Sequence, residues 1–67
     1  MPDALEILGK NIKFYRNQLG LTQEELGVNR SHLAGIECGN LNPAVKTIEK
    51  LADALNITVS DLFASIS

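Results

Sequence analysis

Thr22-Gln23-Glu24-Glu25-Leu26-Gly27-Val28-Asn29-Arg30-Ser31-His32-Leu33-Ala34-Gly35-Ile36-Glu37 contains two helix starts with a turn between them. Thr22 and Glu25 match a capping box, in which the hydroxyl serves the backbone N–H of Glu25 and the carboxylate serves that of Thr22. The helix they begin is barely longer than one turn, because Gly27 takes a positive φ readily and Asn29 is a cap for the next segment. The next helix runs from Asn29 or Arg30 through Cys38, with Leu33 and Ile36 inward and Gly39 closing it.

Upstream, Leu5, Leu8, Ile12, Tyr15 and Leu19 recur at spacings of three and four and form one apolar helical stripe. Asp3 with Glu6 suits its start and Gly20 its end, while Lys10 and Lys13 lie off the stripe on a solvated face. Downstream, Asn42-Pro43 predicts a fourth helix, Asn capping and Pro taking the first helical position. Its stripe is Val45, Ile48, Leu51, Ala52 and Leu55, with Lys46, Glu49, Lys50 and Asp53 opposite. Thr58 to Asp61 repeats the capping pattern and starts a fifth helix carrying Leu62, Phe63 and Ile66. No alternating strand pattern, repeat or linker interrupts this, so the expected fold is all-α, five short helices in one domain over residues 1–67.

The 67 residues, 45% hydrophobic and 21% charged, leave room for one small core and no large enclosed pocket. Cys38 is the lone cysteine, so no internal disulfide forms, and Met1-Pro2-Asp3 lacks the basic start of a secretory signal. A cytoplasmic protein is expected. Apolar runs fall far short of the roughly 18 residues of a membrane span. The formal charge of −2 argues against coating nucleic acid by bulk electrostatics, though not against a local basic face.

The stretch from Gly20 to Glu37 resembles the helix-turn-helix of the lambda-repressor-like (Cro/C1, XRE) family. The likeness extends to Leu8-Gly9-Lys10 and Arg16 upstream and through Gly39-Asn40-Leu41-Asn42-Pro43 to Phe63 downstream. Small restriction–modification controller proteins and compact phage repressors are the nearest in general appearance. The motif, about residues 22–38, departs from the family in one respect: Gln23 to Gly27 is about four residues short. Four residues amount to roughly 6 Å of helix and a rotation of about 40° in the segment beyond.

In such proteins the second helix of the motif enters the major groove of double-stranded DNA and its first turn meets base edges. The resemblance therefore implies DNA contacts from Asn29, Arg30, Ser31 and His32, with Arg30 able to fork onto guanine O6 and N7. Backbone N–H groups at that helix start add a partial positive charge, and Gln23 is expected to meet phosphate or a base. Gly35 falls on a further base-contacting position and has no side chain to read with. Asn40, Asn42 and Lys46 remain as candidate backbone contacts, so weak or narrowly specific binding with a shallow salt dependence is expected. Arg16 and Glu37 match a structural ion pair. Val59, Phe63 and Ile66 either close the core or, as in related regulators, form the interface of a symmetric homodimer.

Other chemistries find little support. His32 and Cys38 lie about 240° around the helix axis from one another and make neither a metal site nor a dyad, and Cys38 reads as an inert, partly buried thiol. Glu24 and Glu25 diverge by about 100° and sit where acids favour a helix start. With no phosphate loop, nucleophile elbow or metal-ligand spacing, neither an enzyme nor a cofactor or small-molecule ligand is expected. The competing reading is a protein-interaction module of the same fold with little DNA affinity, favoured by the short second helix, Gly35 and the negative charge.

Overall fold

The computed structural model describes residues 3–64, and most of its helix boundaries coincide with the caps. The Asp3 carboxylate accepts from Glu6 N–H at 2.9 Å, and α1 runs Ala4–Gln18 before Gly20 turns the chain. Thr22 and Glu25 form the reciprocal box, with N···O distances of 2.9 and 3.3 Å. Only a single 3₁₀ turn, Glu24–Leu26, comes after it. Gly27, at φ 74°, donates back to the Glu24 carbonyl at 3.2 Å, which ends the segment before a 13-atom α ring can propagate. The described residues therefore form four α-helices rather than the five expected.

The second α-helix, α2, spans Arg30–Glu37, its start closed by the Asn29 side chain accepting from Ser31 and His32 N–H. The third, α3, spans Val45–Ala54 and begins two residues later than Asn42-Pro43 suggests. Pro43 is buried and Ala44 stays extended at ψ 155°, so the ring anchors the loop instead of opening the helix. Val45 consequently sits in an uncovered first turn and is 70% exposed, and Leu19, just past the end of α1, is also exposed despite lying on the stripe. The fourth, α4, spans Val59–Phe63 behind the Thr58–Asp61 box. No helix of the described residues is long and apolar enough to cross a membrane.

Leu8 and Ile12 of α1, Leu26 of the 3₁₀ turn, Leu33 and Ile36 of α2, Ile48, Leu51 and Ala52 of α3, Leu55 just after it and Leu62 of α4 form one buried cluster. Its centre is α1, which packs on both α2 and α4, while α3 packs on α4. Leu26 keeps the shortened segment attached, since full burial of one leucine contributes about 1.5–3 kcal/mol.

Asn11, on the inner face of α1 between Leu8 and Ile12, is the buried polar side chain of the described core. Its Nδ2 donates to the carbonyls of Leu62 at 2.7 Å and Ala64 at 2.6 Å, with Asp61 further away at 3.5 Å. The last carbonyls of a helix lack partners within it, and Asn11 supplies one to the end of α4. Asn11→Leu keeps the volume but strands these acceptors, so it is expected to cost about 2 kcal/mol, lowering the thermal midpoint by roughly 8–16 °C in a circular-dichroism melt. An unchanged melt would mean that water replaces the amide without loss.

Candidate nucleic-acid interface

Asn29 places the leading edge of α2 at the surface. Its Oδ1 is occupied by the N–H groups of Ser31 at 2.9 Å and His32 at 3.3 Å, which leaves its amide nitrogen as the outward donor. Two of the helix-start N–H groups expected to meet phosphate are thus already satisfied within the chain. Arg30 and Ser31 are exposed and His32 is half-buried. The Arg30 side chain is 74% exposed, and its Nη1 lies 3.9 Å from Oε1 of an equally exposed Glu24.

Behind this edge, Glu37 gathers three donors. Arg16 Nε reaches Glu37 Oε2 at 2.8 Å and Arg16 Nη2 reaches Oε1 at 3.2 Å, a forked pair, while Arg16 Nη1 holds the Leu21 carbonyl at 3.0 Å. Gln23 Nε2 completes the set at 3.1 Å from Glu37 Oε1. The pair is largely withdrawn from water, 13% and 6% exposed, and it ties the end of α1, the 3₁₀ segment and the end of α2 into one unit. Gln23 therefore gives one of its two amide N–H groups to Glu37 and stays half-buried. Arg16, Thr22, Gln23, Glu24 and Arg30 line a shallow open cleft at this junction.

Gly35 has a different role from an empty reading position. A Cβ there would lie 2.5 Å from Leu41 Cδ1 and 2.8 Å from its Cγ, so the glycine is the seat on which Leu41 rests. A glycine inside a helix costs about 1 kcal/mol relative to alanine, and that cost is the sequence signal for such a close approach. Leu41 pins the loop between α2 and α3, which presents Asn40 and Asn42, with Lys46 beyond them on α3; all three are exposed. Cys38 is exposed and not partly buried, because it caps the end of α2 away from the core.

Lys50 was not singled out by the sequence and belongs to the same neighbourhood. A Cβ on Gly27 would meet Lys50 Cε at 3.4 Å and Nζ at 3.8 Å, so the ammonium lies beside the turn that leads into α2. Glu25 is held below the usual carboxylate range by the Thr22 N–H and hydroxyl. Among the described residues no group of three or more His, Cys, Asp or Glu side chains could hold a metal ion.

On α4, Leu62 is fully buried while Val59 and Phe63 are 37% and 39% exposed, leaving an apolar outer side. Ile66 lies outside the described residues.

A helix-turn-helix family model matches residues 12–62. The control protein C.SmaI of Serratia marcescens is 38% identical over 64 residues, covering 90% of this chain and 76% of that protein. The immunity repressor protein of Bacillus phage phi105 is 42% identical over 57 residues, covering 79% of this chain and 40% of the repressor. The crystal structure of the restriction-modification controller protein C.AhdI from Aeromonas hydrophila superposes with a TM-score of 0.83 at 38% identity, covering 88% of this chain and 96% of that one. The 64 aligned positions of the C.SmaI match use 90% of 67 residues, about 60, so about four of them have no counterpart here.

Proposed function

This chain belongs to the helix-turn-helix family of DNA-binding transcriptional regulators, and from that membership we propose that it acts as a repressor or autoregulator, two copies reading a pseudo-palindromic operator through α2. The observation that carries the reading is the exposed start of α2, where Asn29, Arg30 and Ser31 stand free of the core on a helix anchored by Leu33 and Ile36. Arg30 is the reader, because a guanidinium forks onto guanine O6 and N7 in the major groove. Asn40, Asn42 and Lys46 contact the sugar-phosphate backbone, with Lys50 close to the turn. Gln23 serves chiefly through Glu37, fixing the angle of α2 against α1.

The dimer forms through α4, whose Val59 and Phe63 leave an apolar face uncovered. In such a dimer two reading edges spaced one DNA turn, about 34 Å, apart would meet successive major grooves. The whole acts as one domain, in the cytoplasm. With few cations at the interface, log K against log salt falls with a shallow slope.

Arg30→Ala is the direct test. It is expected to weaken binding to a selected high-affinity duplex by about 2 kcal/mol, roughly 30-fold, while binding to random sequence changes less. Equal affinity of parent and variant in fluorescence anisotropy would remove α2 as the reader. Absence of any shift at low salt would favour a protein-interaction module of the same fold, the reading that the shortened segment and the formal charge of −2 support.

A further inference from the structure

The shortened segment brings an acid next to the reading edge. Glu24 opens the 3₁₀ turn and Arg30 opens α2, with only residues 25–29 between them, and their charged groups approach to 3.9 Å across the cleft. Both side chains are nearly three-quarters exposed, so the pair adds little to the stability of the fold. Arg16, the other cation lining the cleft, is already matched by the Glu37 fork. Among the described residues Glu24 is the ion-pair partner of Arg30, and both line the open cleft at the start of α2.

Resting on the DNA-binding reading above, we infer that Glu24 is a built-in counter-anion to Arg30 that holds down the affinity of this interface for DNA. A duplex carries one phosphate charge per about 1.7 Å of its axis. Each contact of Arg30 with a duplex must therefore first take its guanidinium away from the Glu24 carboxylate. Glu24 is an affinity-setting residue that acts through Arg30 and need not itself touch a base. A uniformly basic interface would lack this restraint, and a chain with few cations would gain measurably from losing it.

Glu24→Gln keeps the size of the side chain and removes its charge. Binding to the selected high-affinity duplex at low salt is measured for the parent, Glu24→Gln, Arg30→Gln and the double variant. The single Glu24→Gln change is expected to tighten binding by roughly 5-fold, the advantage shrinking as salt screens it. In the Arg30→Gln background most of that gain disappears. Unchanged affinity of Glu24→Gln in a parent that does bind would overturn the counter-anion alone, as would a full gain that persists without Arg30. Failure of parent and Glu24→Gln alike to bind any duplex at low salt would instead overturn the DNA-binding reading, and the inference with it.

Discussion

Glu37→Ala is expected to lower the stability of the folded chain by about 3 kcal/mol in urea denaturation. Removing one partner of a buried ion pair costs about 3–5 kcal/mol, because the remaining charge loses its match. The lower end applies here, since Arg16 keeps its bond to the Leu21 carbonyl and retains some exposure. Gln23 would lose its acceptor at the same time. For a chain of this size, with total stability of about 3–10 kcal/mol, a considerable fraction would unfold. Replacing the pair together, as Arg16→Met with Glu37→Leu, should recover much of the loss, since an apolar substitute of similar volume leaves no charge stranded. A loss under about 1 kcal/mol for Glu37→Ala would show that water compensates Arg16 and that the forked geometry contributes little.

Gly9→Ala should be comparably damaging by an unrelated route. A Cβ at this position would stand 2.5 Å from the Ile36 carbonyl oxygen and 2.6 Å from that of Glu37. Both are backbone atoms at the end of α2, so no side-chain rotation relieves the contact. The two helices would have to separate, and their separation would disturb the packing of Leu8, Ile12, Leu33 and Ile36. Overpacking typically costs about 1–3 kcal/mol, and a collision with backbone places this one at about 3 kcal/mol, a fall of roughly 12–24 °C in the thermal midpoint. Alanine is otherwise the better helix former, so a higher midpoint for the variant would mean that α1 and α2 pack less closely than these distances require.

The two variants also separate structure from reading. Both residues position α2 rather than face the duplex, so each should weaken binding together with stability, and by more than the folded fraction alone wherever α2 loses its angle to α1. Arg30→Ala should weaken binding with the melting curve almost unchanged, because its side chain is mostly in solvent.

The four α-helices are legible in the sequence because their signals are local. Asp3, Thr58 and Asn29 act on N–H groups two or three residues away, and the apolar stripes need only a helical period to be recognised. The likeness to helix-turn-helix regulators is legible for the same reason, since the motif is a contiguous run of caps, a turn glycine and inward leucines. The second segment reads wrongly as a helix because its capping box is genuine; its length, cut short by Gly27, decides between an α-helix and a 3₁₀ turn. The start of α3 is displaced from its sequence signal because burial of Pro43, a property of the packed molecule, overrides the local preference of Asn42-Pro43 for a helix start.

What only the tertiary structure decided lies between segments distant in the chain. Asn11 gains its role only because the end of α4, some fifty residues later, presents carbonyls to it. The sequence does not show that Glu37 takes one amide N–H of Gln23, that Leu41 rests on Gly35, or that Arg30 is set beside Glu24. Caps and periodicity arise from backbone geometry over a few residues and can be read in one dimension. The partner of a polar group depends on which surfaces burial brings together, and only the folded chain specifies that.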